Sequence, residues 1–311
     1  MLFRSQLLEF TSPAPGAEPQ ALDVPWAGGH TFTEHSYRGF AVDGEAGEQL
    51  AMNIDSPTGD QFWAHRDAGG NWTNAGRVPF PIRSCYPQVS LRHGGGHVLA
   101  IRDIVEPVDE WREYKFEQTQ RKWDYVFRRL FYAWTPDISS EQFGDAIEID
   151  DVDATSGHIS NLDMFIADDG AAHILYLRRT VQSTSMRDRF FPDERIAADL
   201  VHVVLRDGIE ASRQTLIAGG EGTSGLQPAY GRFHRDADGG LHVVYAASGT
   251  NGLIALTDDG PGEPVTIPLE EPFGTFFTAT ERGGSPPSDT LDLFGIGREG
   301  QVLRYARVQL P

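Results

Sequence analysis

Between positions 111 and 129 the chain carries Arg112, Lys115, Arg121, Lys122, Arg128 and Arg129 against Glu113, Glu117 and Asp124. Trp111, Tyr114, Phe116, Trp123, Tyr125 and Phe127 are interleaved with them. Cations beside aromatic faces suit a carboxylate, sulfate or phosphate carried on a flat or sugar-like ligand, because the cation supplies charge-assisted hydrogen bonds and the ring a stacking surface. The same residues also fit a short amphipathic helix with i,i+4 ion pairs and no ligand at all. A second basic stretch, residues 178–195, sets Arg178, Arg179, Arg187, Arg189 and Arg195 against Asp188, Asp193 and Glu194. The whole chain has a net charge of −19, which argues against nucleic acid as a partner. Against that background a basic, aromatic cluster wants a reason.

The elements that must carry these residues are short strands. The 311 residues include 34 Gly and 19 Pro, a composition that suits strands joined by turns. A phrase recurs: ADDGAAHILY at 167–176, ADGGLHVVY at 237–245 and, more weakly, RHGGGHVLAI at 92–101. Each reads as a Gly-containing turn opening into a strand, with His97, His173 and His242 at the same place. Self-similarity at this scale marks a propeller or array. Four-stranded blades accommodate the chain from about residue 36 to 311, and both basic stretches then fall between the second and third strands of adjacent blades. The expected fold is an all-β propeller of about five visible blades, six or seven in a complete chain, forming one domain over 1–311. A two-sheet sandwich also uses many short strands but leaves the repeated phrase unexplained. The uniformly apolar run 200–205 fits blades packed face to face.

Cys85 is the one cysteine, so neither a disulfide framework nor a thiolate metal site is expected. No apolar run approaches the roughly 18 residues of a membrane helix, and a membrane partner is not expected. The N-terminus lacks the regions of a signal peptide. Residues 2–5 read like a translated sequencing adapter, so whether they are native is left open, and so is the location, a periplasmic or secreted one fitting a truncated N-terminus. Acidic turns at 168–170 and 236–239 lack the spacing of a calcium loop, and the Gly-rich 219–225 lacks the Lys-Ser/Thr of a phosphate loop. No metal and no cofactor is expected.

His65 to Trp72, HRDAGGNW, resembles a degenerate Asp-box of the bacterial neuraminidase repeat, with Asp67, Gly69 and Trp72 matching and His65 and Asn71 replacing the usual Ser and Thr. The motif marks fold: its Asp caps a tight turn, its Gly permits positive φ and its Trp packs into the blade. The resemblance, over roughly residues 30–311, implies a sialidase-like propeller with a carbohydrate-related role. That scaffold hosts sialidases, other glycoside hydrolases, polysaccharide lyases and non-catalytic sugar binders, so it carries no single reaction.

On such a scaffold the starts of the innermost strands and the two insertions share one face, which makes an anionic saccharide the expected partner. The entries supply His35, Arg38, Arg83, Tyr86, Gln88, His158, Asn161, Gln227 and Tyr230. The insertions add Arg112, Lys115, Arg128, Arg129, Arg187 and Arg189. Hydrolysis of the sialidase kind would use a tyrosine assisted by a glutamate, with an arginine cluster on the carboxylate. Elimination on a uronate would need an Arg or Lys to neutralise the carboxylate and a His or Tyr to take the C5 proton. His158, Tyr86, His35 and Tyr230 are the candidate catalytic residues; the arginines, Lys115, Gln88, Asn161 and Gln227 are candidates for substrate binding. A binding or scaffold propeller without chemistry is the alternative. The bland reading of each histidine is a buried, hydrogen-bonded imidazole, and of Tyr86 and Tyr230 ordinary packing.

Overall fold

The computed structural model describes residues 8–12, 14–32, 37–122, 124–257, 259–279, 286–297 and 302–310. The fold is all-β and of the propeller class. A hairpin of β1 (Leu8–Thr11) and β2 (Gln20–Asp23) precedes a series of antiparallel sheets. The first sheet runs β3 (Arg38–Asp43), β4 (Glu48–Ile54), β5 (Gln61–Arg66), β6 (Trp72–Val78) in sequence order. The second begins with β7 (Ser84–Arg92) and β8 (Gly95–Arg102). The chain then leaves through β9 (Ile104–Val105), helix α1 (Asp109–Thr119) and β10 (Tyr125–Val126), and returns to complete that sheet with β11 (Arg129–Thr135) and β12 (Ile147–Asp151).

The third sheet is β13 (His158–Ile166), β14 (Ala172–Arg179), then helix α2 (Thr184–Phe190) as an insertion, β15 (Ala197–Arg206) and β16 (Ile209–Gly220). The fourth holds β17 (Pro228–Arg235), β18 (Leu241–Ala247) and β19 (Thr250–Thr257), edged by the short β20 (Gly260–Pro261) and β21 (Val265–Thr266). The last has three strands among the described residues, β22 (Phe273–Thr278), β23 (Thr290–Gly297) and β24 (Leu303–Gln309). The two basic stretches are second-to-third-strand insertions, each built around a helix.

One local device recurs in the hairpins. In the turn after β5, the Asp67 amide donates to the Asn71 carbonyl and the Asn71 amide donates back to Asp67 Oδ1, at 2.9 and 2.8 Å. After β17, Asp236 exchanges the same pair of bonds with Gly240, at 3.0 and 2.7 Å. A left-handed residue closes each turn, at Gly70 (φ 81°) and Gly239 (φ 88°), where a side chain would be strained. In the first turn the positive φ thus belongs to Gly70, one residue beyond the Gly69 of the expected motif.

By its contacts the chain divides into two compact units, one of Met1–Asp103 with Phe131–Ile149, the other of Ile104–Leu130 with Asp150–Pro311. Within the first, the first two sheets stack through Leu50, Met52, Trp63, Val89, Leu91, Val98 and Ala133. Within the second, Leu175, Leu200, Phe233, Val243 and Tyr245 join the third sheet to the fourth, and Val244, Phe273, Phe276, Leu291 and Leu293 join the fourth to the last. Sheets apolar on both faces, such as β15, are what this stacking requires.

The recurring histidines are part of that packing. His97 Nδ1 lies 2.7 Å from the Tyr132 hydroxyl, and burial pushes its pKa down to about 3. His173 Nδ1 and His202 Nε2 bond each other at 3.0 Å, an arrangement that needs a lone pair on one ring, and burial lowers both. In the unfolded chain such rings take a proton near their usual value of about 6.5. The unfolded state therefore binds more protons below that point, and stability, full above it, drains as the pH falls. Each ring contributes up to about 1.4 kcal/mol per pH unit in that window. The thermal midpoint, followed by circular dichroism from about pH 7 to about pH 5, is expected to fall steadily; an unchanged midpoint would contradict this assignment.

Candidate functional site

The second unit is organised around a buried carboxylate. Glu106, which is 0% exposed, follows β9 and receives two bonds from Arg128, Nη1 to Oε1 at 3.0 Å and Nη2 to Oε2 at 2.5 Å. Lys115 on α1 adds a third at 2.7 Å and also pairs with Asp124 at 2.7 Å. Burial alone would raise the Glu106 pKa, but the bonds from Arg128 and Lys115 outweigh it and hold the carboxyl below its ordinary value. An uncompensated charge here would be prohibitive, so the insertion forms only in the arrangement that brings both cations in.

Arg128 passes the constraint on to His158. Its Nε donates to the Gly157 carbonyl at 3.3 Å and its Nη2 to Ser156 Oγ at 2.6 Å. Ser156 is left-handed, φ 52°, and its carbonyl accepts from the Gln182 amide at 2.9 Å. A Cβ on Gly157 would lie 2.5 Å from the Arg179 carbonyl oxygen, so only glycine fits. The backbone immediately before His158 is thereby held from three sides.

His158 opens β13 and pairs in register with Arg179 at the end of β14. Its ring meets Phe127 edge-on at 5.8 Å, and Nε2 lies 3.2 Å from Ser160 Oγ. His158, Ser160, Arg178, Arg179, Asp199 and Pro228 line a cleft of about 260 Å³. Burial, then the charges of Arg179 and Arg128, push His158 down to about 4, so the imidazole is neutral at neutral pH. Arg178 is held by Asp150 at 3.1 Å. The exposed Arg179 makes one long bond, 3.5 Å, to the Gln182 carbonyl, and among the described residues it has no carboxylate partner. The cleft thus places a base whose pKa is pushed down beside a guanidinium that no carboxylate of the described residues neutralises.

Most of the other sequence candidates have structural partners. Arg128, 1% exposed, is committed to Glu106 and the backbone and cannot reach a ligand; Lys115 is likewise spent. Arg187 pairs with Asp188 and Glu221 at 2.5 and 2.6 Å. Gln227 accepts from the Gly220 amide and donates to Thr223, pinning the loop after β16. Arg112 pairs with Asp109 at 2.6 Å, Arg129 lies 3.7 Å from Asp151, and the exposed Arg189 sits 5.8 Å over Phe190. Trp111 packs on Phe190 and Phe191, and Tyr114 on Phe190. The aromatics at 111, 114, 190 and 191 therefore knit the two insertions together. Asn161 sits half-buried opposite Tyr176 beside a bulge. Tyr230 does not line the His158 cleft; its hydroxyl accepts from Arg232 Nε and Nη2 at 2.9 and 2.7 Å, and Arg232 in turn binds buried Asp163.

In the first unit, Tyr86 is 44% exposed with φ 53°, an outlying backbone for a bulky residue. Its ring tilts against Tyr37 at 4.4 Å, with the hydroxyls 3.2 Å apart. Burial, then the bond to Tyr86, raises the Tyr37 pKa. Arg83 is held by Asp103 at 3.2 Å. Gln88 follows the bulge at Tyr86, half-buried, and Arg38 is exposed on β3. His35 lies outside the described residues.

Ser160 and Asp199 are not among the sequence candidates, and Arg178 and Arg179 count there only as part of the second basic stretch. Counting outward from the turn at 167–171 brings 158 to within one residue of 179, and the bulge between Asn161 and Asp163 supplies that last residue.

No family model matches the chain, and no curated protein matches its sequence. Solved structures do match. A polysaccharide lyase, Uly1, aligns with a TM-score of 0.52 at 11% identity, over 97% of this chain and 64% of that one. An ulvan lyase bound to -[GlcA(1-4)Rha3S]- gives 0.53 at 10% identity, over 93% and 69%. A protein of unknown function from Dyadobacter fermentans gives 0.52 at 9% identity, over 88% and 78%. The chain spans less than two thirds of the length of the first. At such identities the likeness carries the fold alone, and the resemblance to neuraminidase repeats stands no higher than fold.

The E106Q variant leaves Arg128 and Lys115 without their carboxylate in a buried place. It should lose about 3–5 kcal/mol in urea denaturation, whereas R206A, which removes an exposed pair with Asp169, should change stability by under about 1 kcal/mol. Equal, small losses would contradict the central role of Glu106.

Proposed function

We propose that this chain is a carbohydrate-active propeller acting on an anionic glycan by elimination at a uronate, with the His158 cleft as the reaction site. The observation that carries this reading is the largely buried His158 imidazole lining one cleft with Arg179, an arginine that has no carboxylate partner among the described residues. Among the described residues lining that cleft, Asp199 is the one carboxylate, whereas glycoside hydrolysis generally calls for two carboxyl groups or a tyrosine with a glutamate. The solved structures of polysaccharide lyases with similar folds, one holding a glucuronate-containing saccharide, agree with this choice.

In this scheme Arg179 binds the uronate carboxylate and draws charge from C5 as that carbon loses its proton. His158 takes the C5 proton, the C5–H electrons form the C4=C5 bond, and the C4–O bond breaks. The imidazolium is then the acid in the cleft that returns the proton to the departing glycosidic oxygen. Ser160, bonded to Nε2, orients the ring. A substrate carboxylate on Arg179 offsets part of the charge that disfavours His158⁺ and raises the basicity of the ring only once substrate is bound.

Turnover is followed as ultraviolet absorbance of the unsaturated uronate on glucuronate-containing, sulfated polysaccharide. H158A should lower kcat by at least about 100-fold, and R179A should mainly raise KM. The base must be neutral, so kcat/KM falls as the pH drops through the free-enzyme value of about 4, with the corresponding limb of kcat lying higher. New reducing ends without absorbance would overturn elimination in favour of hydrolysis. Binding with no product from any uronate would favour a non-catalytic glycan binder.

A further inference from the structure

A second cleft, about 340 Å³, opens in the same unit between the two insertions, lined among others by Phe116, Thr119, Arg121, Tyr125, Gln182 and Ser185, with the ion pair of Lys115 and Asp124 also on its wall. Besides that pair, the cleft has groups of three kinds. Phe116 and Tyr125 hold aromatic rings at the surface, 40% and 37% exposed. Arg121 is exposed and, among the described residues, has no ion-pair partner, unlike Arg112, Lys115 and Arg128 of the same insertion. Gln182 Oε1 is buried without a hydrogen-bond donor, an acceptor whose desolvation nothing in the protein offsets.

A ring for the face of a pyranose, a guanidinium for a sulfate or carboxylate and an orphaned amide oxygen for a hydroxyl form a set that an anionic sugar would satisfy. The cleft is also tied to the first one. Gln182 lies three residues beyond Arg179, at most about 10 Å of extended backbone. Its carbonyl accepts from Arg179, and its amide donates to the Ser156 carbonyl. One side of the link faces the reaction cleft and the other faces this one.

We propose that this cleft is a subsite for a further residue of the same anionic glycan, in which Arg121 pairs with a sulfate or carboxylate and Tyr125 or Phe116 stacks on the sugar. The proposal rests on the reading of the His158 cleft as the reaction site. It makes the protein a reader of chain length: a saccharide filling one cleft binds weakly, and one long enough to fill both binds tightly.

The probe is a size series of GlcA(1-4)Rha3S di-, tetra- and hexasaccharides, titrated calorimetrically into H158A so that nothing is consumed. Affinity should rise roughly 10- to 100-fold between the disaccharide and the longer chains, the gain of one charge-assisted contact with stacking. In H158A/R121A and in H158A/F116A/Y125A, whose added changes are on exposed side chains, that increment should be lost. An increment that survives both changes would overturn the subsite while leaving the reaction site standing. Absence of binding at every length, with no turnover by the wild-type protein, would overturn both readings together.

Discussion

A carboxylate with no access to water shapes the second unit. Glu106 cannot stay charged there without Arg128 and Lys115, and it cannot be neutral while two cations point at it. The two ends of the first insertion and its helix are therefore fixed relative to one another by electrostatics as much as by packing. The consequence is positional. Arg128, once bound to Glu106, has donors left for Gly157 and Ser156, and through them it sets the backbone that presents His158. A buried charge that touches no ligand thus determines where the candidate base stands, and the field of Arg128 is one of the reasons that base is neutral.

The basic residues of the two insertions divide into two populations with different work. Arg128, Lys115 and Arg187 are paired and build the scaffold. Arg179 and Arg121 lie at the margins of two clefts and, among the described residues, have no carboxylate partner. In a strongly acidic protein this division matters, because cations left without internal partners focus a local positive potential where an anionic ligand would arrive. Neutral histidines on the inside and free arginines at the rim have one cause: the fold tolerates charge only where it is matched, or where water and ligand can match it.

Much of the strand architecture was legible, since alternation, Asp/Gly turns and the recurring ADDG-like phrase report directly on local backbone geometry. The same periodicity located both insertions between second and third strands. Side-chain commitment was much less legible. Nothing in the spelling of residues 103–129 says that Glu106 is buried, and that single fact turns Arg128 and Lys115 from ligand-binding candidates into structural ones. Trp111 reads as a stacking ring for a ligand, yet it packs on Phe190 and Phe191 of the other insertion. His158 was visible as the first residue of an inner strand, but Arg179 required the hairpin register, and the bulge between Asn161 and Asp163 shifts that register by one. Long-range pairing, set by burial and by chain reversal, is where sequence reading ran out.

The most direct test of this account is the protonation of His158 itself, followed by NMR titration of its ring carbon-bound proton, with H158A identifying the resonance. A ring that stays neutral through mildly acidic pH and ionises near 4 is the expected result. A midpoint near the ordinary histidine value of about 6.5 would mean that neither burial nor the charges of Arg179 and Arg128 act on it as described, and the cleft would lose its base.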